Sequence, residues 1–150
     1  MTNVVLKEPC IDYLNAYENQ YDFNAISTDS CKILDLDLVH MKKEDVNFSG
    51  TYNLRMKHDA KIGAIISWFD CIFEDLQKPV TLSTSPFKPY THWKNTIFYL
   101  DQAQDLKKGD ILKGSVAVRQ SKENYRELDV KISYHFPTEK NDFTQLYKVR

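Results

Sequence analysis

Residues Thr84 to Trp93 read Thr-Ser-Pro-Phe-Lys-Pro-Tyr-Thr-His-Trp. Pro86 and Pro89 fix the backbone there and exclude a helix. The segment is a rigid loop that presents Tyr90, His92 and Trp93 together, the best candidate site in the chain. His92 is its chemically able member, because an imidazole with an ordinary pKa of ~6.5 exchanges a proton near neutrality. A histidine without such company is more commonly a surface or satisfied core residue. His40, His58 and His135 lie in or beside alternating segments and are assigned no role.

Other chemistries find little support. The four glycines are Gly50, Gly63, Gly109 and Gly114, and no two lie within four residues of each other. A phosphate-cradling loop or dinucleotide turn needs clustered glycines, so no nucleotide or nucleoside-cofactor fingerprint is visible. Cys10, Cys31 and Cys71 are odd in number and widely spaced. No Cys or His sits at zinc-ligand spacing, so no metal site is expected, and the simple expectation is a reducing, intracellular compartment. Twenty basic residues face 21 acidic ones, which argues against a primary nucleic-acid binder. The first fifty residues hold four basic and nine acidic side chains, which reads as solvated surface. The longest near-apolar stretch, Ile62 to Phe69, is interrupted by Ser67 and falls far short of a membrane span. No signal peptide is visible at the N-terminus.

The loop needs a frame. At 150 residues the chain suits one domain, with enough length to bury a core without disulfides. Residues 1–31 differ from the rest: a Tyr/Asn/Asp-rich lead-in follows Pro9, with a short helix expected around Asp12–Asn19 and Asp12 as its cap. From Lys32 the period becomes two. Leu34, Leu36 and Leu38 alternate with Asp35, Asp37 and Val39; Phe48, Gly50, Tyr52, Leu54 and Met56 share a face of the next run. Ile62 to Phe73 is apolar on both faces and reads as one buried strand. Thr96–Leu100, Ile111–Gln120, Glu127–Phe136 and Phe143–Val149 complete the set, separated by turn signals such as Lys107–Asp110 and Pro137–Asp142. The pattern predicts a mainly all-β fold, an antiparallel β-barrel or sandwich with a short helical N-terminal lead-in.

At the loop the sequence also resembles a family. Ser83-Thr84-Ser85-Pro86, Pro89-Tyr90-Thr91-His92-Trp93-Lys94 and Thr96-Ile97-Phe98-Tyr99-Leu100 are similar to the protein arginine methyltransferases, type I in particular, and Thr91-His92-Trp93 matches that family's THW loop. Lys107-Lys108-Gly109-Asp110, Asn124-Tyr125-Arg126-Glu127-Leu128-Asp129 and the ending Tyr147-Lys148-Val149-Arg150 continue the likeness. Val5-Leu6-Lys7-Glu8-Pro9 resembles the segment that leaves the dimerisation arm. The likeness is sharp from Leu82 to Leu100 and diffuse between Ile11 and Cys31.

The resemblance implies that residues 1–31 are a remnant of the dimerisation arm and lead-in, and that 32–150 form the C-terminal, substrate-side β-barrel. The chain would be a piece of an enzyme that moves methyl groups from S-adenosylmethionine to arginines of histone tails and Gly/Arg-rich RNA-binding proteins. That family is homodimeric and works in cytoplasm and nucleus. His92 would act from the barrel side, paired with an acidic residue of another domain, as a base or as an orienting group. Trp93 and Tyr90 would shape the substrate wall, and Thr91 would position the loop; for Trp93, packing within the loop is nearly as good a reading. The S-adenosylmethionine site and the paired glutamates that grip the guanidinium would lie outside this chain, which alone would be inactive. No direct nucleic-acid or membrane partner is implied. One rival is a free-standing, non-catalytic barrel that binds or regulates a methyltransferase. Another is a small-ligand barrel of lipocalin type, in which the Thr-His-Trp loop has no reason to occur.

Overall fold

The computed structural model describes residues 10–12, 25–89 and 91–149. Among them are nine strands: β1 Cys10–Asp12, β2 Phe48–Arg55, β3 Ala60–Ser67, β4 Asp70–Phe73, β5 Val80–Ser83, β6 Asn95–Leu106, β7 Ile111–Gln120, β8 Leu128–His135 and β9 Phe143–Val149. A single 3-10 turn at Lys43–Val46 is the longest helical piece among the described residues. The strands form sheets in the orders β2-β7-β8-β9, β1-β6-β3 and β4-β5. The fold is all-β, with antiparallel pairing in every registered ladder, as the period-two patterning predicts.

The chain divides into two compact units. The larger contains Ser27–Gly63 and Leu100–Arg150 and is built on the four-stranded sheet. Its buried side chains follow the alternation of the sequence: Val130, Ile132, Tyr134 and Phe136 from β8 and its end, with Tyr52, Leu112, Val116 and Tyr147 from the other strands. Tyr134 stacks on Phe143 at 5.3 Å, and Phe136 meets the edge of Tyr134 at 5.4 Å. Each such ring contributes about 1.5–3 kcal/mol by leaving water. The hydroxyls that enter this core are paired. The Tyr134 hydroxyl donates to Gln145 Oε1 at 2.6 Å, and the same oxygen accepts the Asp101 N–H at 2.9 Å. The Tyr52 hydroxyl donates to the Ser133 carbonyl at 3.0 Å.

Tyr52 reaches that carbonyl by lying across Gly114, its register partner on β7. A Cβ at Gly114 would come within 2.3 Å of the Tyr52 hydroxyl and 2.2 Å of the Ser133 oxygen, so glycine is required there for close approach rather than for backbone freedom. Gly109 meets the other need. It takes φ of +92° in the turn between β6 and β7, where Asp110 N–H donates to Lys107 O and Asp59 accepts from Lys108 N–H and from Lys107 Nζ.

The smaller unit contains Ala64–Tyr99. Its β4–β5 hairpin is amphipathic by register. Cys71 pairs with Leu82 and Phe73 with Val80 on one face, while Asp70 pairs with Ser83 on the other. Phe73 and Val80 remain about half exposed.

Several expectations are corrected. Leu34–Leu38 is not a strand. Asp37 turns the chain instead: its carboxylate accepts the N–H groups of Val39 and His40 and pairs with His40 Nδ1, leaving Leu38 and Val39 exposed. An Asp side chain offers the backbone this local alternative to a ladder. Ile62–Phe73 is not one buried strand. It breaks at Trp68–Phe69 into β3 and β4, and Phe69, Ile72 and Phe73 are exposed. The strand expected at Thr96–Leu100 extends to Leu106 in β6. Val80–Ser83 and Cys10–Asp12 are strands the periodicity does not announce. Asp12 ends a strand paired to Asn95, and the helix expected after it lies outside the described residues.

Candidate functional site

The loop runs from Thr84, one residue past β5, to Lys94, one residue before β6. Its first turn is set by sequence: Lys88 N–H donates to Ser85 O at 3.0 Å around Pro86, whose fixed φ suits the second position of such a turn. Ser85 Oγ accepts the Phe87 N–H, and Ser83 Oγ accepts the Ser85 N–H. Pro86 is buried.

The base of the loop is held by two buried polar side chains. Thr84 is 5% exposed and makes three bonds to Phe69: its N–H donates to the Phe69 carbonyl at 3.0 Å, its hydroxyl donates to that carbonyl at 2.9 Å, and the hydroxyl oxygen accepts the Phe69 N–H at 3.0 Å. Asn95, 4% exposed, donates from Nδ2 to the Thr84 carbonyl at 2.7 Å. The first residue of the loop is thereby tied to the first residue of β6.

Of the residues singled out by sequence, the structure brings three together. Thr91 Oγ1 donates to the Trp93 carbonyl at 3.2 Å. Trp93 lies edge-on to Phe69 at 6.2 Å and is 51% exposed, so it both packs and faces outward. The His92 ring is exposed and sits 6.0 Å from the Trp93 ring, nearly perpendicular to it. Tyr90 lies outside the described residues. Sequence reasoning passed over Phe69, Thr84 and Asn95, which hold the loop. Their available signal was position alone: a Thr at the exit of one strand and an Asn at the entry of the next.

His40 pairs with Asp37, His135 with Asp142, and His58 Nδ1 lies 3.3 Å from the Asp59 carbonyl. Among the described residues no group of three or more His, Cys, Asp or Glu could hold a metal ion. Gly50 faces the Ile33 carbonyl, Gly114 faces the Ser133 carbonyl and the Tyr52 hydroxyl, Gly63 meets Ala103, and Gly109 stands alone in its turn. What the site offers is one exposed imidazole and one indole on a loop anchored at both ends.

An all-β domain with a proline-set loop bearing Thr-His-Trp defines the class. The chain matches the family described as "Arginine methyltransferase oligomerization subdomain" over residues 1–139. It is 41% identical over 138 residues to protein arginine N-methyltransferase 1 of Schizosaccharomyces pombe, covering 91% of this chain and 38% of that protein. It is 36% identical over 135 residues to the enzyme of the same name from Saccharomyces cerevisiae, covering 89% and 37%. Among solved structures, the Trypanosoma brucei arginine methyltransferase 1 enzyme–prozyme heterotetrameric complex with AdoHcy superposes with a TM-score of 0.84 at 23% identity, covering 95% of this chain and 44% of that one. Arabidopsis thaliana protein arginine methyltransferase 10 superposes with a TM-score of 0.83 at 17% identity, covering 97% and 43%. The chain belongs to the arginine methyltransferase oligomerization subdomain family. It spans about two fifths of the length of the proteins it matches.

Proposed function

We propose that this chain is the substrate-side β-domain of a protein arginine N-methyltransferase, with residues 32–150 as its β-barrel and 1–31 as the remnant of a dimerisation arm. The substrate class is arginine in histone tails and Gly/Arg-rich RNA-binding proteins, and the assembly is a homodimer of cytoplasm and nucleus. The observation that carries this reading is His92 exposed on a doubly anchored loop within a chain whose family match runs over residues 1–139.

Methylating a guanidinium nitrogen is an orientation problem: the planar group must be held while the nitrogen is aimed and a proton removed. S-adenosylmethionine supplies the methyl group from a site outside this chain. This chain's part is to present the His92 imidazole, as proton acceptor or as orienting partner of a carboxylate from the rest of the enzyme. Trp93, Tyr90 and Thr91 complete the wall: Trp93 braces on Phe69, and the Thr91 hydroxyl fixes the Trp93 carbonyl.

A chimera tests this. The chain replaces the matched segment of the Schizosaccharomyces pombe relative, and transfer of a labelled methyl group to an arginine-rich peptide is measured. The chimera is expected to be active and the isolated chain inert. A folded, assembled chimera without transfer rules out the catalytic reading and leaves a binding or regulatory domain. Transfer by the purified chain alone contradicts the division of labour.

A further inference from the structure

Two buried polar residues stand at the ends of the same loop, Thr84 at its start and Asn95 just past its end. We infer that Thr84 and Asn95 are positioning residues, which close the base of the loop and so fix the direction in which Trp93 and His92 face. The inference rests on the proposed role of His92 only for its catalytic half; its geometric half stands on this chain alone.

The loop follows a short hairpin. The β4–β5 hairpin on which it is mounted has only four residues in each strand, and such a hairpin is marginal by itself. A loop carried on it needs ties of its own. Trp93 supplies one by resting edge-on against Phe69, but Phe69 is itself 46% exposed and is not held by a surrounding core. Its backbone is held by Thr84. The Thr84 hydroxyl takes both polar groups of Phe69, donating to its carbonyl at 2.9 Å and accepting its N–H at 3.0 Å. One hydroxyl thus sets the Phe69 backbone against which Trp93 rests.

Asn95 closes the other end. Its side chain is buried and donates to the Thr84 carbonyl at 2.7 Å, across a gap of eleven residues in sequence. Both groups are shielded from water, so a lost partner is not replaced by solvent without opening the site. His92 lies between these ends, three residues before Asn95 and next to Trp93. A shift of about 1 Å in a catalytic group is enough to cost ~100-fold in rate.

Three substitutions test this. Thr84→Val keeps the shape and removes the hydroxyl; Asn95→Ala removes the Nδ2 donor; Thr84→Ser keeps the hydroxyl and is the conservative control. Amide hydrogen exchange in the chain is expected to speed roughly 5- to 30-fold over residues 85–94 in the first two variants, the factor that accompanies one or two lost net hydrogen bonds, and not in the control. The Tyr134 and Phe136 resonances of the larger unit should stay in place, which separates loop release from unfolding. In the chimera described above, kcat should fall about 10- to 100-fold, with KM for the peptide changing less and Thr84→Ser restoring kcat. Unchanged loop exchange in both Thr84→Val and Asn95→Ala overturns the inference, as does a released loop with undiminished kcat in a chimera where His92→Ala is inactive. A released loop in a chimera indifferent to His92→Ala leaves the anchor standing and removes the proposed role of His92 instead.

Discussion

The two units of this chain solve the same problem differently. In the four-stranded sheet, rings are buried and their hydroxyls are paired inside the core: Tyr134, Tyr147 and Phe136 are at most 1% exposed. In the β4–β5 region the rings stay near the surface: Phe69, Phe73, Phe87 and Trp93 are each about half exposed, and order comes from buried polar side chains, Thr84 and Asn95. One region is held by apolar area, the other by a few hydrogen bonds. Hydrophobic packing tolerates no directional choice at a surface, whereas hydrogen bonds fix direction. A loop that must aim an exposed imidazole is served by the second.

The contrast is broken most directly by deleting a ring from each region. Phe136→Ala should cost about 3–5 kcal/mol in denaturant unfolding, the range for a buried ring. Phe73→Ala should cost at most about 1 kcal/mol, the worth of a cross-strand pair with Val80. Equal losses would mean that the hairpin is packed as tightly as the sheet. Next in size is Gly114→Ala. It forces the Tyr52 hydroxyl off Ser133 and should destabilise by about 1–3 kcal/mol in the same assay, as overpacking does.

Much of the first region was legible in sequence and little of the second. β7 was read from Ile111 to Gln120 and β9 from Phe143 to Val149, because one face of each meets a core and the residues alternate accordingly. The alternating leucines at 34, 36 and 38 show where that signal fails, since Asp37 diverts the backbone into a turn. The apolar run after Ile62 failed for the opposite reason: residues apolar on both faces give no period to mark the break at Trp68–Phe69. The loop was found by its prolines and by Thr91-His92-Trp93. Its anchors were not, because Thr84 and Asn95 act through a tertiary pairing with no periodicity.

Smaller effects sharpen the contrast through pH. Burial pushes the Tyr147 hydroxyl up to about 12 and raises Tyr134 and Tyr52 as well. The folded state then keeps protons that the unfolded chain has lost, so stability is full below pH ~10 and falls as pH rises toward the folded values. Tyr147→Phe should make that alkaline fall shallower in urea titrations between pH 9 and 12; an unchanged slope would mean that Tyr147 ionises without cost. The smallest effect belongs to Asp59, whose carboxyl is held below its usual range first by the Lys108 N–H and then by Lys107. Its contribution is present above the unfolded value of ~3.9 and is lost as pH falls through the folded one. Asp59→Asn should therefore lower stability slightly at neutral pH, with the difference from wild type vanishing in acid.

The measurement that bears most directly on the function is the pH dependence of kcat/KM for methyl transfer by the chimera, compared among wild type, His92→Ala and His92→Gln. If His92 works from the anchored loop, both variants lose about 100-fold or more, the usual scale for a positioned acid–base group, and the wild-type pH profile changes shape. A folded His92→Ala chimera that methylates at the wild-type rate, with the same pH profile, contradicts it.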